Sequence, residues 1–95
     1  MMVIVCENAP ARLRGRLCLW LVEIRAGTFV GSYGKRQRER LWDETKSLIG
    51  KGNAVIAWRA PTDSGFEFDS IGPDRRECVH VDGFALVRVA SEREG

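Results

Sequence analysis

Histidine occurs once in this chain, at His80, and cysteine three times, at Cys6, Cys18 and Cys78, with no Cys-x-x-Cys pair. That inventory is too sparse for a zinc site, and nothing near His80 supplies the third group that a Cys-His nucleophile needs. No apolar run approaches the roughly 18 residues of a membrane-spanning helix. The N-terminal run lacks the charged lead-in and cleavage site of a secretory signal, so a soluble cytoplasmic protein in a reducing compartment is expected, with Cys6 and Cys18 as small core residues. A glycine-rich phosphate loop is missing as well: Gly31-Ser32-Tyr33-Gly34-Lys35 is too short for one. An excess of one sign of charge is also small, the 15 lysines and arginines against 13 acids leaving a net of only +2. A nucleic-acid role must therefore come from where the charges lie.

At 95 residues and 44% hydrophobic, the chain has material for one small domain, read as residues 1–90 with a frayed tail at 91–95. Met2 to Cys6 is a short β-branched run typical of a buried strand. Leu13, Leu17, Trp20, Leu21 and Ile24 recur at helical spacing, so the pattern predicts an amphipathic helix over 10–26, opened by Pro10 and stopped by Gly27. A short strand at 28–30 follows, then a turn in which Ser32 is a candidate cap. A second helix is predicted from Lys35 to Ile49, with Leu41, Trp42, Thr45, Leu48 and Ile49 as its buried stripe.

Beyond it, 53–59 and 66–70 read as a hairpin, 73–77 as a basic loop, and 78–81 and 84–89 as a second hairpin turning on Asp82-Gly83. The order implies an α+β, ferredoxin-like sandwich: a mostly antiparallel sheet with two helices on one face. Its other face stays open unless a second copy packs there, which points to a homodimer.

Arginine is concentrated at 12, 14 and 16, at 36, 38 and 40, and at 75 and 76. Arg12, Arg14 and Arg16 start the first helix immediately after Glu7-Asn8. They could neutralise phosphates without regard to sequence, or pair with acids on neighbouring elements. Lys35, Arg36 and Arg38 oppose the macrodipole at the start of the second helix. Either an anion lies nearby or the face is solvated, with Arg40 paired to Glu44. Glu7 could ligate Mg²⁺ together with its copy across a two-fold, or face the positive end of the first helix. Trp20, Trp42 and Trp58 fall on apolar stripes and read as core rather than as base-stacking platforms.

Taken together, the strand ending in Glu7-Asn8, the Pro10-Ala11-Arg12-Leu13-Arg14-Gly15-Arg16-Leu17 helix start, Glu23-Ile24-Arg25-Ala26-Gly27, Gly52-Asn53 and Gly65-Phe66-Glu67-Phe68 resemble one family. It is the Cas-two family of CRISPR-associated proteins in its subtype I-E form, and the likeness runs to about Val89. The resemblance implies a ferredoxin-like homodimer that sits between dimers of the CRISPR integrase and holds a protospacer duplex for insertion into the array. It also implies DNA contacts at Asn8, Arg12 and Arg14, extended to Arg16, Arg36, Arg75 and Arg76. Members of the wider family were named as metal-dependent endoribonucleases, and Glu7 stands where they carry an acidic metal ligand. The alternative function is accordingly a stand-alone Mg²⁺-dependent endonuclease acting on RNA or DNA.

Overall fold

The computed structural model describes residues 1–89, with the side chains of His80 and Val89 left aside. The tail at 91–95 lies outside the described residues. Strand β1 (Met2–Glu7) leads into helix α1 (Ala11–Leu17) and the hairpin β2 (Val22–Arg25) and β3 (Thr28–Gly31). Helix α2 (Lys35–Leu48) returns the chain to β4 (Asn53–Arg59) and β5 (Phe66–Ile71), and β6 (Arg76–Val81) and β7 (Phe84–Val89) form a separate two-stranded sheet. The main sheet has the order β2-β3-β1-β4-β5, and all its neighbours are antiparallel. Within it, β1-α1-β2-β3-α2-β4 is the ferredoxin-like plan, with β5 added at one edge.

Alternation along β1 turns Met2, Ile4 and Cys6 to one face, where they join Phe29, Ala54 and Ile56 in a single core with Leu13 and Leu17 of α1 and Leu41 and Trp42 of α2. Both helices therefore cover the same face. Thr45 is fully buried, and its hydroxyl donates to the Leu41 carbonyl. The opposite face carries Val3, Val5, Val55, Ala57 and Phe68, all half-buried. The β6–β7 hairpin overhangs this face and leaves a cavity of about 540 Å³. Its Asp82-Gly83 turn has both residues at positive φ, 53° and 84°, as the dipeptide requires.

The predicted helix over 10–26 is corrected to α1 plus a strand. Leu13, Leu17 and Leu21 are buried as the helical stripe required, but Trp20 and Ile24 are 48% and 65% exposed. Val22-Glu23-Ile24-Arg25 pairs instead with β3, with a register shift between Glu23 and Arg25. Gly27 is therefore the turn of this hairpin and not a helix stop. It sits at φ +81°, and a Cβ there would lie 2.5 Å from the Cys6 carbonyl oxygen.

The start of α2 also differs from expectation: Gly34, not Ser32, is its N-cap, and no side chain caps it. Of the two cysteines expected in the core, Cys18 is exposed. Cys6 is buried, and burial pushes its thiol up to about 11, so it stays protonated at neutral pH. The basic loop is shorter than predicted, because Arg76 already begins β6.

Candidate nucleic-acid interface

One end of the sheet gathers most of the chemistry. Glu7 ends β1 directly opposite Asn53, the first residue of β4. Because Cys6 points into the core, Glu7 lies on the open face, away from α1, which removes the reading of Glu7 as a partner for the helix's positive end. The Asn53 side-chain amide donates to Glu7 Oε1 and to Asp74 Oδ2, each at 3.3 Å, and the Asp74 N–H donates back to Asn53 Oδ1 at 2.9 Å. Two glycines make this junction possible. A Cβ on Gly52 would lie 2.3 Å from the Glu7 carbonyl oxygen, and one on Gly72 would lie 2.3 Å from Asn53 Oδ1. Among the described residues no group of three or more His, Cys, Asp or Glu side chains converges for a metal ion.

Asn8 turns the corner into α1 with φ 60°, a conformation asparagine tolerates better than most residues. Arg12 follows, exposed and without an ion pair or hydrogen bond among the described residues. Its neighbours are committed: Arg14 Nη2 is 2.9 Å from Glu23 Oε2, and Arg16 grips Glu44 through Nε at 3.2 Å and Nη2 at 2.7 Å. Glu44, which the solvated-face reading pairs with Arg40, instead links the two helices through Arg16, and Arg40 acts on it only as a nearby charge.

Glu23 also accepts the Gly27 N–H at 2.9 Å, so one carboxylate joins α1 to the β2–β3 turn. That N–H, and then Arg14, hold Glu23 below the ordinary value of 4.5, as the Arg16 hydrogen bonds do for Glu44. The stability from both pairs is complete above that value and lost as pH falls through their lowered folded values. Chemical denaturation repeated from about pH 6 down to about pH 2 should show this loss, and it should be smaller in a Glu23→Gln, Glu44→Gln variant.

Arg75 and Arg76 reach the same end as Glu7. Arg75 is half-buried, with Nη1 3.3 Å from the Gly72 carbonyl, and the Arg76 N–H donates to the Ser70 hydroxyl at 2.8 Å. Both line the cavity with Glu7 and Asn53. Arg36 is not brought there. Gly31, just before α2, pairs with Met2, so α2 begins at the far end of the sheet. Its 14 residues place Arg36 about 20 Å from the end where Glu7 lies. At that far end Arg38 lies over the Trp58 ring, 4.5 Å from its centroid.

Asn53, Asp74 and Glu23 are side chains of the candidate site that pattern reading did not single out. Antiparallel pairing of β1 with β4 would have set Asn53 opposite Glu7. Asp74 depends on a loop whose path no period encodes.

Among the described residues no helix is long and apolar enough to cross a membrane. The profile of the family described as CRISPR-associated protein (Cas_Cas2CT1978) matches residues 1–86. That span takes in both helices, the whole main sheet and the Glu7–Asn53–Asp74 junction, and the chain belongs to this CRISPR-associated Cas2 family.

Proposed function

We propose that this chain is the DNA-holding adaptor of CRISPR spacer acquisition, in the subtype I-E form: a homodimer that bridges integrase dimers and retains a protospacer duplex. The observation that carries the proposal is Arg12, an exposed and unpaired guanidinium among the described residues, beside Asn8 on the sheet end shared with Arg75 and Arg76. A phosphate contact there needs no rearrangement of an existing ion pair. The apolar open face, with its cavity of about 540 Å³, supports the homodimer, since a second copy would bury it.

A Mg²⁺-dependent endonuclease is the second reading, favoured by the carboxylates of Glu7 and Asp74 meeting on one amide. Their oxygens fit a hard cation, and Glu7 with Asp74 would hold it; Mg²⁺ bound there would neutralise charge at a scissile phosphate. Glu7→Ala separates the readings. In an integration assay with the partner integrase, the adaptor role predicts activity within about twofold of wild type. Loss of integration in a folded, dimeric Glu7→Ala protein would move the metal reading to the front.

A further inference from the structure

Trp20, expected in the core, stands instead at the surface. It is 48% exposed, and its ring meets Tyr33, itself 37% exposed, edge to face at 6.2 Å between centroids and 79° between planes. The Tyr33 hydroxyl donates to the Trp20 carbonyl at 2.6 Å, which fixes the pair's orientation. The other two tryptophans differ: Trp42 is buried and donates to Asp69, and one face of Trp58 is covered by Arg38.

Lys35 and Arg36 follow Tyr33 by two and three residues, so chain length keeps them within about 11 Å of it. Both are exposed, neither has an ion-pair partner among the described residues, and the first turn of α2 contains no acid. Two fixed aromatic rings in water near two cations without an ion-pair partner among the described residues suit a chain of bases and phosphates. Stacking is indifferent to base identity, and the cations follow the backbone.

We propose that Trp20 and Tyr33 form a stacking platform for an unpaired nucleotide segment, whose phosphates Lys35 and Arg36 neutralise. The platform lies at the Met2 end of the sheet, remote from Arg12, so a duplex held at the Arg12 end and a single strand held here occupy different surfaces. The biological source of that strand rests on the DNA-holding reading; the binding itself does not.

The test uses the full chain and two fluorescein-labelled probes, an oligothymidylate of about eight nucleotides and a blunt duplex, followed by anisotropy at low salt. Trp20→Ala, and separately Tyr33→Ala, should weaken oligothymidylate binding about tenfold while duplex binding stays within about twofold. Trp20→Phe should keep most of the single-strand affinity. Lys35→Gln with Arg36→Gln should lower its salt slope. The oligothymidylate should also quench wild-type tryptophan fluorescence, a readout that does not depend on any variant folding.

Unchanged single-strand affinity in a folded Trp20→Ala protein overturns the platform. So does a wild-type chain that binds duplex but no oligothymidylate, a result that leaves the DNA-holding role standing. If Trp20→Ala instead changes the sedimenting mass with single-strand affinity intact, the patch is a protein contact and the platform is likewise overturned.

Discussion

Replacing Arg12 with alanine is expected to weaken retention of duplex DNA about tenfold near physiological salt and to lower the salt slope of binding by close to one per chain. Each phosphate neutralised by a lysine or arginine releases condensed counterions, so losing one contact must appear in the slope as well as in the affinity. Arg12 is chosen over its neighbours because its guanidinium is uncommitted among the described residues, whereas Arg14 and Arg16 already lie on Glu23 and Glu44. Arg14→Ala should therefore add less to the loss than Arg12→Ala. Glu23→Gln should strengthen binding by freeing Arg14. Filter binding or anisotropy across a salt series checks all three. An unchanged slope in the Arg12→Ala, Arg14→Ala double variant would remove these arginines from the interface.

A second large effect is expected at Gly52, buried where β4 starts against the end of β1. Alanine there would place its Cβ 2.3 Å from the Glu7 carbonyl oxygen and 2.9 Å from that of Asn8, both main-chain atoms that cannot swing aside. Relief requires β1 and β4 to separate at the residues that carry Glu7, Asn8 and Asn53. A cost of about 2 to 3 kcal/mol is expected, lowering the melting temperature by on the order of 10 °C or more. Gly50→Ala is the useful comparison, because a Cβ at that position would meet nothing within 4 Å and only its φ of +62° opposes the change. Equal melting temperatures for the Gly52→Ala and wild-type chains would show that the junction gives way more easily than its geometry implies.

How far the sequence spoke for the fold depends on which signals coincide. For α2, apolar period, flanking glycines and length agree, and Lys35–Leu48 forms almost as the pattern required. At 22–25 two periods compete. Ile24 continues the helical stripe from Leu17 and Leu21, yet Val22-Glu23-Ile24-Arg25 also alternates and is followed by a glycine able to make a two-residue turn. The strand prevails because it completes the sheet edge beside β3, a tertiary gain that a local window does not contain. The same misreading placed Trp20 and Ile24 inside and hid the exposed aromatic pair.

The site was partly legible for a related reason. Glu7, Asn8 and Arg12 adjoin in the chain, so their proximity follows from one strand-to-helix corner. Asn53 and Asp74 reach that corner through pairing and through a glycine loop, with separations of 46 and 21 residues between the bonded side chains. Arg36 illustrates the converse. Its place in the sequence suggests membership of the basic set, but the antiparallel course of α2 carries it to the opposite end of the sheet.

The most direct test of the DNA-holding role is an in vitro spacer-integration assay with a CRISPR integrase. It compares wild type, Glu7→Ala and the Arg12→Ala, Arg14→Ala double variant, each first shown to be dimeric. A DNA-holding adaptor keeps integration without the Glu7 carboxylate and loses it without the two arginines. Integration that tolerates loss of the arginines but stops without Glu7 would contradict that role.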